Sequence, residues 1–134
     1  MRILFVCEGN INRSQMAAAY LKKIAPNVEV VSAGTVVPPE RHGKRVEEIS
    51  SKGDSAMREV GLSTAENVVQ LVSEEMVNDA DKVVLMGMLN SLPDYLKNSS
   101  KVETWNIPDP GTAEVTHAEA RDAVIEQVTR LSKN

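Results

Sequence analysis

The chain has 134 residues, a formal net charge of −4, 42% hydrophobic residues and 25% charged residues. This composition is typical of a globular protein and excludes disordered and collagen-like chains, so we expect residues 1–134 to form a single domain. No apolar run approaches the roughly 18 residues of a membrane span, and the start lacks the features of a signal peptide. We therefore expect a cytoplasmic protein that does not bind membranes. Because the chain is acidic and has no basic block, we expect no nucleic-acid partner.

The first part of the chain predicts a strand, a helix and a second strand. Residues 2–6 (RILFV) form a short apolar run that is typical of a buried strand. Residues 13–24 predict a helix, which Pro26 ends. The apolar stripe of this helix consists of Ala17, Tyr20, Leu21 and Ile24. Residues 28–32 (VEVVS) predict a second strand, so the three elements form a βαβ unit with parallel strands.

The rest of the chain predicts alternating helices and strands after one irregular segment. In residues 35–54, Pro38-Pro39 favours an extended start, and RVEEIS could carry a helix. The later predicted elements are a helix over 54–60 capped by Gly61, a short helix over 73–79, strands over 82–86 and 101–105, a helical turn within 91–97, and a last helix that begins with the capping box Thr116–Glu119. This alternation predicts an α/β fold with a parallel sheet covered on both faces.

The segment between the first strand and the first helix predicts an oxyanion site. Ligands bind outside the carboxyl ends of the strands in open α/β sheets, and the amides at the start of the helix point toward this loop. Gly9 and Asn10 tolerate the positive φ that a nest of amides requires. The candidate substrate-binding residues are therefore Glu8, Gly9, Asn10, Ile11, Asn12, Arg13 and Ser14.

Cys7 lies at the mouth of this predicted nest and is the only cysteine of the chain. Amides, the helix dipole and Arg13 favour its thiolate, which is the nucleophilic form. Arg13 can hold two phosphoryl oxygens in a bidentate fork, and Ser14 can donate its hydroxyl to the sulfur. A lone cysteine at a strand end is more often a core residue, and it is the surrounding sequence that favours catalysis.

Asp109 follows the last predicted strand, within Pro108-Asp109-Pro110-Gly111. A carboxyl at this edge could protonate a departing oxygen and then activate a water. The alternative is an ordinary proline-flanked turn without catalysis.

Three motifs together resemble a known family. The pattern V-C-x-G-N-x-x-R-S over 6–14, S-A-G-T over 32–35 and D-P at 109–110 is similar to the low-molecular-weight protein-tyrosine phosphatases and the arsenate reductases that share their fold. The resemblance implies a three-layer α/β/α sandwich with a four-stranded parallel sheet. It also implies Cys7 as nucleophile, Arg13 as oxyanion clamp and Asp109 as acid and base. The implied supporting residues, which hold the loop, are Asn10, Ser14 and Ser32.

Departures from the family pattern bear on the substrate. Many of these phosphatases carry a second cysteine where Asn12 stands, and phosphotyrosine-specific members have aromatic residues after D-P, where Gly111 follows here. Residues 36–39 (VVPP) offer no aromatic wall either. We expect a cysteine-dependent phosphatase of the protein-tyrosine-phosphatase type, which hydrolyses phosphomonoesters through a phosphocysteine intermediate. The expected ligand is a phosphorylated protein or a small phosphoester, or else an inorganic oxyanion. Whether residues 36–53 form a mobile lid or an ordered wall stays open.

Two alternatives remain from the sequence. The first is a single-cysteine arsenate reductase that depends on an external thiol, because Met88 and Leu92 lie where the family's further cysteines would be expected. The second is a non-catalytic oxyanion-binding or redox-sensing domain. No metal or cofactor is predicted, since His42 and His117 have no partners at metal-ligand spacing and are expected at the surface. Glu8 is expected to point outward, line the rim and disfavour acidic substrates.

Overall fold

The computed structural model describes residues 1–87, 92–111 and 115–133. Its strands are β1 (Arg2–Cys7), β2 (Glu29–Gly34), β3 (Lys82–Met86) and β4 (Val102–Trp105). Its helices are α1 (Arg13–Ile24), α2 (Lys52–Arg58), α3 (Glu74–Asp79), α4 (Asp94–Lys97) and α5 (His117–Ser132), with a 3-10 turn at Val46–Glu48. No helix in these described ranges is long and apolar enough to cross a bilayer.

The four strands form one parallel sheet in the order β2-β1-β3-β4. This confirms the predicted α/β class and the four-stranded parallel sheet. Because β1 lies inside the sheet and all strands point the same way, the carboxyl ends of β1, β3 and β4 lie along one edge. Cys7 ends β1 there and Trp105 ends β4, so the loop after Cys7 and the segment of Asp109 begin at the same edge.

The two faces of β1 supply two separate cores, since side chains alternate along a strand. Phe5 and its neighbours on one face pack with α1, α2 and α5, and the ring centroid of Phe5 lies 5.8 Å from that of Trp105. Leu4 and Val6 on the other face pack with residues of α3 and α4. The sheet is therefore covered on both faces, as predicted, and the middle layer is rigidly held.

Several boundaries differ from the sequence prediction. Strand β2 runs to Gly34 rather than to residue 32, because its register with β1 continues to the pair Cys7–Gly34. Helix α2 begins at Lys52 rather than 54, and Gly61 follows it with a φ of 80°. The segment RVEEIS carries only the short 3-10 turn. On α1, Ile24 is 37% exposed instead of completing the buried stripe, because it lies in the last turn of the helix.

Asp54 is a buried carboxyl that joins α2 to the segment after it. It accepts hydrogen bonds from Arg58 Nε at 2.7 Å, Ser63 Oγ at 2.6 Å and the Thr64 amide at 2.9 Å. Burial by itself raises the pKa of this carboxyl, but the three donors together outweigh it and hold the pKa below its ordinary value. Asp54 is therefore a charged group whose ionised form stabilises the fold.

Candidate active site

Cys7 is 2% exposed at the end of β1, and the loop that follows turns back over its sulfur. The Asn10 amide donates to Cys7 Sγ at 3.2 Å, and Ser14 Oγ lies 2.9 Å from the same sulfur. The Asn10 amide donates to the sulfur, and the Ser14 hydroxyl is close enough to share a hydrogen bond with it. The structure thus brings Cys7, Asn10 and Ser14 together as the sequence predicts.

Asn10 fixes the turn of this loop. Its φ of 57° is left-handed, a conformation that asparagine adopts more readily than most residues. It is completely buried, and its Nδ2 donates to Ser14 Oγ at 2.8 Å and to Ser32 Oγ at 3.1 Å. The predicted supporting residues therefore form one hydrogen-bonded group around the loop.

The sequence analysis missed two glutamines that complete this group. Gln15 is buried and donates to the backbone oxygens of Asn10 at 3.1 Å and Val68 at 3.2 Å. The backbone amide of Gln70 donates to Asn10 Oδ1 at 2.9 Å, and the side-chain Nε2 of Gln70 donates to the backbone oxygen of Ser32 at 2.9 Å. A glutamine at the third position of a predicted helix was a weak signal, and nothing local marks Gln70.

Gly34 is a further residue that the sequence analysis left without a role. A Cβ atom at this position would lie 2.6 Å from the Glu8 oxygen and 3.0 Å from the Asn10 nitrogen. Only glycine lets the end of β2 approach the loop this closely. The Ser-Ala-Gly motif thus has a packing reason as well as the Ser32 hydrogen bond.

Arg13 is 5% exposed at the start of α1 and its guanidinium is held from one side. Its Nη1 donates to the backbone oxygens of Met86 at 2.6 Å and Ile107 at 3.0 Å, at the ends of β3 and β4. Among the described residues none accepts a hydrogen bond from Nε or Nη2, and Nη2 lies 3.8 Å from Asp109 Oδ2. The edge formed by Nε and Nη2 is therefore available for two oxygens of an anion.

Asp109 lies beside this guanidinium with its carboxyl held by its own loop. Its Oδ1 accepts the Gly111 amide at 2.8 Å, and its side chain is 31% exposed. Gly87, at a φ of 104°, passes so close to Arg13 Nη1 that a Cβ atom would collide with it. The predicted catalytic residues Cys7, Arg13 and Asp109 thus line one cavity, which has a volume of about 320 Å³.

The wall of this cavity opposite the loop is formed by the residues after β2. The Thr35 amide donates to the Cys7 oxygen at 3.0 Å and the Val36 amide to the Glu8 oxygen at 2.8 Å. Val36, Pro38 and Arg41 from this segment line the cavity. These backbone contacts attach the beginning of the segment 36–53 to the loop of the nucleophile.

None of the four aromatic residues lines the cavity, and all four lie in the described part of the chain. Phe5 and Trp105 are buried in the core, as expected. Tyr20 packs against the same core, and Tyr95 packs against the core on the other face of the sheet. The cavity therefore has an aliphatic and charged lining.

Three other residues singled out in the sequence, Glu8, His42 and His117, have the following positions. Glu8 is exposed and lines the mouth. His42 is exposed, as expected, and its Nδ1 accepts the Leu71 amide at 3.0 Å. His117 is half-buried rather than a free surface residue; its pKa is lowered by burial and by Lys52, while Asp109 opposes the shift.

The remaining positions are those where members of the family carry further cysteines, and those that could hold a metal ion. Asn12 points its Oδ1 toward Gly53, where a Cβ atom would lie 2.5 Å from it. Leu92 packs against the core of α3 and α4, whereas Met88 lies outside the described residues. Within the described ranges, no group of three His, Cys, Asp or Glu side chains is arranged to hold a metal ion.

The arrangement is suited to bind a tetrahedral oxyanion directly above a sulfur. The loop amides, the start of α1 and the free edge of Arg13 provide donors and positive charge. Cys7 lies at the base of the loop, and Asp109 lies on the side of Arg13 that faces the cavity.

Comparisons with known proteins agree with this geometry. A family model described as low molecular weight phosphotyrosine protein phosphatase matches residues 2–134. An arsenate reductase from Bacillus licheniformis is 31% identical over 140 residues, which cover 98% of this chain and 94% of that protein. A cysteine-to-serine mutant of YwlE arginine phosphatase with a phosphorylated active-site serine is similar with a TM-score of 0.80 and 27% identity, covering 99% of this chain and 94% of that one.

YwlE arginine phosphatase from Geobacillus stearothermophilus is similar with a TM-score of 0.78 and 29% identity, covering 98% of this chain and 90% of that one. These relatives support the predicted cysteine phosphatase, and the reductase relative fits the predicted alternative. Since the family model spans nearly the whole sequence, this chain belongs to the low molecular weight phosphotyrosine protein phosphatase family.

Proposed function

We propose that this protein hydrolyses phosphomonoesters through a phosphocysteine intermediate on Cys7. The observation that carries the proposal is the position of the Cys7 sulfur. It lies 3.2 Å from the Asn10 amide nitrogen and 2.9 Å from the Ser14 hydroxyl, in a cavity that Arg13 and Asp109 also line. A thiolate held by such donors is a nucleophile that needs no metal.

In the first step the Cys7 thiolate attacks phosphorus, and the bond from phosphorus to the substrate oxygen breaks. Arg13 holds two of the three equatorial oxygens through Nε and Nη2, while the loop amides donate hydrogen bonds to the equatorial oxygens from the other side. Asp109 gives its proton to the departing oxygen. The products of this step are the free alcohol and a phosphoryl group on sulfur.

In the second step a water molecule attacks the phosphocysteine. Asp109, now a carboxylate, accepts a proton from this water, and the sulfur leaves as a thiolate. Ser14, whose Oγ lies 2.9 Å from Cys7 Sγ, stabilises the charge that returns to the sulfur. Inorganic phosphate is released and the enzyme is restored.

The proposed substrate is a phosphorylated protein or a small phosphoester that does not depend on an aromatic ring. The aliphatic wall of Val36 and Pro38 supports this choice, because a phenyl ring would find no aromatic side chain to pack against in the lining. The proposed setting is cytoplasmic, where reducing conditions keep a lone cysteine as a thiol.

The test is hydrolysis of p-nitrophenyl phosphate near pH 6 by the wild type and by Cys7→Ser. We expect turnover by the wild type and a loss of at least about a thousandfold in the variant, with binding of inorganic phosphate largely kept. Rapid denaturation of the wild type at alkaline pH during turnover of a radiolabelled phosphoester should trap phosphate on the protein, and Cys7→Ala, which offers neither a sulfur nor an oxygen nucleophile, should trap none. Equal turnover by the two proteins would overturn the proposal.

A second candidate is arsenate reduction, which is favoured by the relative named arsenate reductase. In this route the Cys7 thiolate forms an adduct with arsenate and releases water. An external thiol then attacks the Cys7 sulfur, so that arsenite leaves with two electrons and a mixed disulfide remains. A second external thiol must restore Cys7, since the chain has one cysteine.

The two candidates are separated by assaying one purified sample in both ways. Phosphoester hydrolysis without arsenite formation in the presence of glutathione and glutaredoxin supports the phosphatase. Efficient arsenite formation with feeble hydrolysis would make the protein a reductase that depends on an external thiol.

A further inference from the structure

Arg41 stands at the mouth of the cavity and has no role in the proposed reaction. Its side chain is exposed and lines the same space as Cys7 and Arg13. Its backbone is fixed, because its amide donates to the Pro38 oxygen at 2.9 Å and its oxygen accepts the Lys44 amide at 3.1 Å. The side chain of Arg41 thus extends from a hydrogen-bonded turn that lies at the edge of the cavity.

The arginines of this chain are otherwise paired. Each of the others lies within 4.0 Å of a carboxylate; they are Arg2, Arg13, Arg45, Arg58, Arg121 and Arg130. Arg41 has no such partner among the residues that the structure describes. A planar cation with five donors is therefore presented to whatever enters the cavity.

Among the residues that the structure describes, Glu8 is the other exposed charged side chain that lines the cavity. It belongs to the loop of the nucleophile, whereas Arg41 belongs to the wall after β2, and the two do not form an ion pair. A chain that leaves the phosphate site therefore passes one cation and one anion. An acidic side chain of the substrate is attracted to Arg41 and repelled by Glu8. The two charges therefore favour the orientation of the bound substrate chain in which an acidic residue lies next to Arg41.

We propose that Arg41 binds the carboxylate of an acidic residue that flanks the phosphorylated residue of a peptide or protein substrate. This inference rests on the proposed phosphatase function, and it names a specificity that the reaction itself does not require. Arginine suits this task because its fork pairs with a carboxylate through two parallel hydrogen bonds.

The experiment compares two phosphopeptides that differ only in having aspartate or asparagine at the positions flanking the phosphorylated residue, which is the one that the wild type hydrolyses fastest among phosphotyrosine, phosphoserine and phosphoarginine. Their kcat/KM values are measured by phosphate release, and their inhibition of p-nitrophenyl phosphate hydrolysis gives a second ratio. The wild type should prefer the acidic peptide by about three- to fivefold, the size expected for a solvent-exposed ion pair. This preference should fall as salt is raised, because exposed charges are screened.

The variants are Arg41→Gln, Arg41→Lys and Arg41→Glu, with Lys44→Gln as the matched control. Lys44 is an exposed cation three positions further along the same segment, and it does not line the cavity. Arg41→Gln should abolish the preference, Arg41→Lys should keep part of it, and Arg41→Glu should reverse it. Lys44→Gln changes the net charge equally and should leave the ratio unchanged.

The possible results separate this inference from the proposed function. No hydrolysis of any phosphoester by the wild type would overturn the function and the inference together. Hydrolysis with equal rates for both peptides would overturn the inference alone. An equal fall of the ratio in Arg41→Gln and Lys44→Gln would also overturn it, because the effect would then come from net charge rather than from a contact at the mouth.

Discussion

Replacing Asn10 by glycine tests whether the side-chain network holds the loop of the nucleophile. Glycine adopts the φ of 57° without strain, so the variant removes the hydrogen bonds and leaves the backbone conformation accessible. Alanine at the same position removes the same hydrogen bonds and adds the free-energy cost of holding a residue with a Cβ atom in the left-handed conformation. The difference between the two variants therefore separates the network from the backbone.

The expected magnitude follows from the partners that Asn10 leaves behind. Its side chain bonds to Ser14, Ser32, Gln15 and Gln70. The Gln70 amide loses its acceptor in a partly buried place, and an unsatisfied group of this kind costs about 1–3 kcal/mol. We expect Asn10→Gly to lower the free energy of unfolding by about 2–4 kcal/mol, and Asn10→Ala by about 1 kcal/mol more.

The assay is urea unfolding together with p-nitrophenyl phosphate turnover. Asn27→Gly, at an exposed position, controls for the entropy that glycine adds to the unfolded chain. We expect kcat of Asn10→Gly to fall at least about tenfold, because Ser14 and the amide above the Cys7 sulfur lose their positions. If Asn10→Gly unfolds like Asn27→Gly and keeps its kcat, the network does not hold the loop and the reasoning is refuted.

Three further predictions concern glycine, acid and leaving groups. Gly87→Ala should lower the free energy of unfolding by about 1–3 kcal/mol because of its positive φ, and it should also lower kcat because the new Cβ atom displaces Arg13. Gly61→Ala, with a φ of 80° and open space around it, should lower stability without changing kcat. Equal kcat values for the two variants would contradict this prediction. The folded pKa of Asp54 is lowered, so its stabilising effect is complete above its ordinary value of 3.8 and is lost as pH falls through the folded pKa. Thermal unfolding of Asp54→Asn should therefore depend less on pH below about 4 than that of the wild type, and parallel pH profiles would argue against it. Asp109→Asn should slow hydrolysis more for an alkyl phosphate than for p-nitrophenyl phosphate, because the poor leaving group needs the proton; a uniform loss would deny Asp109 the role of acid.

Features of the fold and the site that depend on a short stretch of residues could be predicted from the sequence. The apolar run of β1, the loop from Cys7 to Ser14 and the α/β alternation all follow from short stretches of chain, and the parallel sheet then places Asp109 near Arg13. The catalytic and binding roles of these residues stay predictions until the assays are done. Their grouping in one cavity is a property of the fold.

The sequence does not predict contacts between distant segments. The backbone amide of Gln70 donates a hydrogen bond to the side chain of Asn10, sixty positions earlier in the chain. No pattern in the sequence around Gln70 indicates this contact. The wall that carries Arg41 contains two prolines and has no hydrophobic periodicity. Neither its conformation nor its position beside the cavity could therefore be predicted from residues 36–53. The end of β2 at Gly34 depends on its register with β1, which only the tertiary structure sets.

The backbone pairing of the wall with the nucleophile loop has a consequence for how substrate preference can change. The amides of Thr35 and Val36 continue the pairing of β2 onto Cys7 and Glu8, and these bonds use main-chain atoms alone. Side chains further along, such as Arg41, can therefore be exchanged without moving the sulfur. The proposed chemistry and the proposed contact of Arg41 with substrate are in this way carried by different segments. We expect changes confined to the residues that follow Val36 to alter substrate preference without altering the reactive centre.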